Sequence, residues 1–180
     1  MAYQIGLYVL IASIMCACAG AADIWIHKRV SIKRPLETSS TLWLGSRSAR
    51  VLNSEQFEDI AHRFSTQLEQ IGFQIVDRRT DSAYQAYIWF GKRGERREQF
   101  SNVTDGMNIW TQHTWAFTIE ILNQGQEGQR QIYLAEAETA VWCPSIGSVL
   151  NELVDEVLDG FPLQKSVEGS TLNTYSPSRC

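Results

Sequence analysis

The sequence predicts an α+β fold: one domain, built on a mostly antiparallel sheet of four to five strands with two amphipathic helices packed on one face. Three observations carry this. Apolar residues alternate with polar ones in segments near the start and the middle of the chain, the period of half-buried strands. Two other segments repeat their apolar residues every three or four positions, the period of a helix with one buried face. The segment around Asn123–Gly128 reverses the chain between two extended runs, which joins neighbouring strands antiparallel.

Ile24, Ile26, Val30 and Ile32 share one parity, with Trp25, His27, Arg29 and Ser31 on the other, so the first strand has one buried side that Lys28 interrupts. Pro35 ends that run, and Thr41–Gly45 is a second short strand. The first helix presents Phe57, Ile60, Ala61, Phe64, Leu68 and Ile71 on one face, with Asn53 and Gln56 fitting a capping-box start. Gly72 supplies the left-handed stop, and Phe73 to Val76 follows as a short strand. Ala83 to Gly91 is apolar or aromatic on both parities, the pattern of a central strand. Gly91 to Gly106, where Lys92, Arg93, Arg96 and Arg97 alternate with Glu95 and Glu98, reads as a long exposed connection.

Trp115, Phe117, Ile119 and Ile121 form the buried side of the next strand, and Gln131 to Trp142 returns as its hairpin partner. Small and acidic residues at Ala135–Glu138 would also tolerate a helix there. Pro144 fits the first turn of the last helix, whose apolar face is Ile146, Val149, Leu150, Leu153, Val154, Val157 and Leu158, and Gly160 with Pro162 ends it. Beyond Leu163 the chain is too poor in apolar residues to offset its ordering entropy and is expected to be a flexible tail. The expected division is a leader over 1–22, the α+β domain over 23–162 and the tail over 163–180.

Ile5 to Cys18 is an apolar run closing on small residues, the composition of an export signal. Met15-Cys16-Ala17-Cys18 resembles a bacterial lipobox, with Ala17 as the small residue and Cys18 as the thiol that accepts a diacylglycerol. Met15 and Cys16 depart from the usual residues, and no Lys or Arg precedes the core. Two other readings stand beside this one. The leader could be cut after Ala19 or Ala21, or Ile5 to Ala22 could be retained as an anchor with Lys28 and Arg29 on its cytoplasmic side. Under the lipoprotein reading, Ala19 rather than Asp follows the acylated residue, which resembles the pattern sorted to the outer membrane.

A net charge of −4 with both signs interspersed speaks against a nucleic-acid partner, which favours a concentrated basic surface. Of four cysteines, two lie in the leader, so only Cys143 and Cys180 can pair in the mature body, and Cys143 fits equally well as a small buried hydrophobe.

A helix ending Leu68-Glu69-Gln70-Ile71-Gly72-Phe73, a long hairpin, Trp142 near its end and a closing helix that stops at Gly160-Phe161-Pro162 follow one another in this order. In that order the chain resembles a family of bacterial envelope lipoproteins whose shared domain is of unknown function. The resemblance implies residence in the cell envelope, helices on one face of an antiparallel sheet, and no catalytic residues.

The residues themselves offer no catalytic constellation. His27, His62 and His113 stand beside no nucleophile motif, no metal-ligand spacing occurs, and no phosphate-cradling glycine loop is present. Glu136 and Glu138, like Asp155 and Glu156, read as solvated positions. Two function classes remain, with no cofactor in either. The preferred one is a lipid-tethered interaction module with an envelope protein as partner, for which Lys92, Arg93, Arg96 and Arg97 are a candidate patch for anionic groups. The other is a carrier of lipid or a small hydrophobic molecule, with Trp89, Phe90, Trp110, Trp115 and Trp142 lining a cleft between helix and sheet.

Overall fold

The computed structural model describes residues 22–102, 106–125, 128–142, 146–162 and 165–175. Its strands are β1 (Ala22–Ile32), β2 (Thr41–Gly45), β3 (Gln74–Ile75), β4 (Tyr84–Asn102), β5 (Gly106–Gly125), β6 (Gly128–Val141) and β7 (Val167–Tyr175). Its helices are α1 (Ala49–Leu52), α2 (Glu55–Gln70) and α3 (Leu150–Leu158). Pairing gathers the strands into one seven-stranded sheet in the order β3-β2-β4-β5-β6-β1-β7. It is mixed: β2 runs parallel to β3 and β4, and every other pair is antiparallel.

The α+β class and the single sheet agree with expectation, and the details correct it. Among the described residues the sheet has seven strands instead of four to five, and there are three α-helices instead of two. Two short or polar elements account for most of the difference. α1 is a single turn capped by Ser48, whose side chain accepts from Val51 N. β7 arises from the segment expected to be a flexible tail: Val167–Tyr175 pairs antiparallel with β1 over nine registered positions. Backbone hydrogen bonds to an open sheet edge order such a segment without apolar burial, so composition alone does not reveal it.

The presumed connection after Gly91 is also strand. β4 runs on to Asn102 and pairs with β5 throughout, with one irregularity between Lys92 and Gly94. Charged residues are tolerated there because Lys92, Arg93, Glu95, Arg96 and Arg97 stay exposed while their backbone pairs. β6 remains extended to Val141, which resolves the ambiguity at Ala135–Glu138 in favour of strand.

The cap of α2 falls one residue beyond the expected Asn53. Ser54 Oγ accepts from Phe57 N at 3.2 Å, and Glu55 and Glu58 sit in the first turn where the helix dipole favours them. At the other end Gly72 takes φ +105°, with Phe73 N donating to Leu68 O at 3.0 Å and Gly72 N to Glu69 O at 3.0 Å. This pair of hydrogen bonds across a left-handed residue is the Schellman stop that glycine permits. α3 begins at Leu150, later than a start at Pro144; a 3₁₀ turn, Ile146–Ser148, precedes it.

The buried sides of α2 (Phe57, Ile60, Phe64, Leu68) and α3 (Leu150, Leu153, Val154, Val157, Leu158) agree with the expected faces. They meet Ile26, Ile88, Phe117, Ile119, Tyr133 and their neighbours in one core. Phe161 joins the layers, its ring 5.0 Å from Phe64 and 5.1 Å from Tyr133. Lys28 lies on this same side of β1, only 8% exposed. Its ammonium donates to Asp159 O at 3.0 Å, at the C-terminal end of α3, and stands 4.0 Å from Glu156. A cation at that end satisfies a carbonyl left over by the helix and meets the negative end of its dipole, which explains a lysine on an apolar strand face.

Candidate functional site

With both long helices on one side, the opposite side of the sheet is where the polar parity of each strand collects. Across β5, β6 and β1 the register places Thr118, Glu136 and Arg29 in one row, and Ala116, Glu138 and His27 in the next. Glu136 is only 6% exposed, so its charge requires partners. Arg29 Nη2 donates to its Oε1 at 3.1 Å, Arg93 Nη2 donates to Oε2, and Thr118 Oγ1 donates to Oε2 at 3.4 Å. Arg93 Nη1 also reaches Glu138 at 3.4 Å. Arg93 is the extra residue of the β4 irregularity, between Lys92 opposite Trp115 and Gly94 opposite Thr114.

Burial would raise the Glu136 carboxyl above its ordinary pKa. The hydrogen bond and charge of Arg93, with the charge of Arg29 and the Thr118 hydroxyl, outweigh it and hold the group below the usual range. Arg93 is correspondingly shifted upward, chiefly by its bond to Glu136. The result is a cross-strand ladder of alternating charge with its acid buried and its arginines half exposed.

A second cluster lies on the same face toward β2. Gln85, fully buried, accepts at Oε1 from Arg79 Nε at 2.8 Å, Tyr87 Oη at 2.9 Å and Gln129 Nε2 at 2.6 Å. Among the described residues its own amide nitrogen has no partner. Arg47 lies over the Tyr87 ring, 4.6 Å from the centroid, and pairs with Glu120 at 3.2 Å. Trp43 meets Tyr87 edge-on at 5.6 Å and covers Gly45, where a β-carbon would fall 2.1 Å from the indole Cη2. Glycine there is a packing requirement of the tryptophan.

The four residues expected to form an anionic-partner patch are not one cluster. Lys92 bonds Glu95 at 3.0 Å, which lowers the pKa of Glu95. Arg93 turns onto Glu136 and Glu138. Arg96 and Arg97, opposite Gln112 and Thr111, occupy successive positions and so opposite faces of the β4–β5 ribbon. Conversely Glu136, expected to be solvated, is the centre of the ladder. In sequence Glu136 shares its parity with the apolar Leu134 as well as with Glu138, but nothing local identifies its partners.

The aromatics proposed for a ligand cleft also separate. Phe90 and Trp115 belong to the core, Trp89 is half-buried on the other parity of β4, and Trp142 is 41% exposed. The Trp110 side chain, and all of Cys18, Cys143 and Cys180, lie outside the described residues. The three histidines are dispersed over β1, α2 and β5. Between α2 and α3 runs an open groove of about 620 Å³, lined mainly by polar residues including His62, Gln67 and Asp159. Arg63 and Asp155 pair across it. Among the described residues no group of three metal-binding side chains occurs, and no helix is long and apolar enough to cross a membrane.

No protein-family model matches the chain, and no curated protein does. Among solved structures it is similar to a PDZ domain protein from Parabacteroides distasonis, at 11% identity and a TM-score of 0.46, over 88% of this chain and 41% of that one. The chain therefore spans less than half the length of that protein. It is also similar to PelC from Paraburkholderia phytofirmans, crystallised as a dodecamer, at 15% identity and a TM-score of 0.41, over 78% of this chain and 99% of that one. Likenesses at this level do not assign a function.

Proposed function

We propose that this protein is a lipid-tethered module of the bacterial cell envelope, carried by Cys18 on the periplasmic side of the outer membrane, which binds another envelope protein without catalysis. The observation that carries the interaction reading is the sheet face opposite the helices. It is uncovered by any helix among the described residues, yet organised by the Arg29–Glu136–Arg93 ladder and the Arg47–Tyr87–Trp43 cluster. Side chains held in place before binding lose little entropy on association, and arginine beside aromatic residues suits a protein surface. The carrier reading is less well supported, because Phe90 and Trp115 fill the core instead of bounding a cavity.

A photo-crosslinking residue at Ser31, on the open face, should trap a discrete partner in intact envelopes, and the same residue at Glu58, on the helical side, should not. Equal trapping at both positions, or none, would count against a partner surface here. A lipid released on denaturation of the purified protein, with no protein adduct, would favour the carrier. The tether is tested separately: Cys18→Ala should abolish acylation, measured by intact mass, and shift the chain out of the membrane fraction.

A further inference from the structure

A side-chain amide offers an oxygen with two lone pairs and a nitrogen that only donates. At Gln85 the bonds are shared unevenly between them. Arg79 Nε at 2.8 Å, Tyr87 Oη at 2.9 Å and Gln129 Nε2 at 2.6 Å all donate to Oε1. Nε2, buried with the rest of the residue, has no acceptor among the described residues. Turning the amide over does not repair this, because Arg79 Nε can only donate and so must face the oxygen. The cluster therefore holds more donors than acceptors, and a buried N–H without a partner is costly.

Two cations border the same cluster. The guanidinium carbons of Arg47 and Arg79 stand 4.6 and 5.9 Å from the centre of the Tyr87 ring, and both residues are exposed. Arg47 is paired with Glu120 at 3.2 Å, and that carboxylate also accepts from Gln131 Nε2 at 3.2 Å. Arg79 has no carboxylate partner among the described residues. Asp81, two positions on, takes the Thr80 hydroxyl at 3.0 Å instead. The bond from Arg79 to Gln85 uses only its Nε and leaves the terminal nitrogens of the fork to other acceptors. Because that bond is the third onto an oxygen with two lone pairs, releasing it costs the cluster little.

We propose that Arg79, with Arg47 beside it, receives the carboxylates of an acidic segment of the partner protein, and that Arg79 lets go of Gln85 as it does so. What the cluster lacks is an acceptor, and a carboxylate offers two oxygens in the geometry of a guanidinium fork. Once Arg79 has left, the Gln85 amide is free to turn and give Nε2 to Tyr87 Oη, a hydroxyl able to accept. Binding at the surface is thereby registered by a buried side chain. That the occupant is a protein rests on the partner surface proposed above; the affinity of the two arginines for carboxylates does not.

The test uses the full chain in a neutral detergent, labelled with nitrogen-15. NMR follows the Arg79 Nε and Gln85 Nε2 resonances as end-capped tetraglutamate is added, with end-capped tetraglutamine and inorganic phosphate as controls. Tetraglutamate should shift both resonances saturably, and less strongly at high salt, whereas tetraglutamine should shift neither. Arg79→Gln should weaken binding at least about tenfold, read from the backbone resonances of β2 and β4, with the thermal melt in place. Arg79→Lys keeps the charge but not the planar fork, and should recover only part of the affinity. No shift, or equal shifts with tetraglutamine, overturns the proposal. So does a shift at Arg79 that leaves Gln85 unmoved, the mark of surface charge alone. Phosphate acting as well as tetraglutamate makes the occupant a small anion and overturns the acidic segment. Movement of the Gln85 resonance on Glu127→Gln in the free chain, two positions before Gln129, also overturns it, because the acceptor then belongs to this chain. A failed crosslink at Ser31 leaves the peptide titration standing, so the two readings fail separately.

Discussion

Glu136→Gln is the most informative single change, because it keeps the side chain's shape and removes the charge on which the ladder is built. The carboxylate accepts from Arg29, Arg93 and Thr118, and only 8% of its side chain is exposed. Hydrogen bonds to a charged group contribute about 1.5 to 3 kcal/mol each. The full value does not apply twice, since the Arg29 and Arg93 side chains are 51% and 41% exposed and can turn to water when released. A net loss of about 2 to 3 kcal/mol at neutral pH is expected. Urea unfolding of wild type and variant across pH measures it. The Glu136 carboxyl is depressed in the folded protein, so its stabilisation is fully present above the unfolded pKa, about 4.3, and is lost as pH falls through the lower folded value. The difference between wild type and variant should thus be constant from pH 7 to about 5 and shrink below about 4, where wild-type Glu136 also becomes neutral. A difference under about 0.5 kcal/mol at pH 7, or one that persists unchanged into acid, would refute the reasoning.

Four further outcomes follow from the packing and the strand pairing. Phe64→Ala and Leu153→Ala each remove a fully buried side chain, and should each cost about 2 to 5 kcal/mol in thermal or chemical melts. Lys28→Ala leaves the Asp159 carbonyl without its donor and Glu156 without its nearest cation, so a loss of about 2 kcal/mol is expected, whereas Arg at this position should recover part of it. Gly45→Ala must displace the Trp43 ring, which would appear as a changed near-ultraviolet circular dichroism signal with a loss of about 1 to 3 kcal/mol. Ending the chain at Lys165 removes β7 and bares the edge of β1, and concentration-dependent aggregation measured by light scattering is the expected result.

The α2 and α3 faces, the Gly72 stop, β2 and the two-sided burial of Tyr84–Phe90 were legible in the sequence, because each rests on the period of its own apolar residues or on a single residue's backbone freedom. What only the tertiary structure decided are the places where partners distant in sequence supply the stabilisation. β7 is polar and ordered by the edge of β1. The extension of β4 is charged and ordered by β5. Lys28 sits on a buried face because the end of α3 arrives there, 131 residues later. Glu136 is buried because Arg29 and Arg93, on strands to either side, neutralise it, and no window of local sequence contains all three. Apolar periodicity is a local property of the chain, whereas backbone pairing at an edge and charge compensation across a sheet exist only once the strands have met.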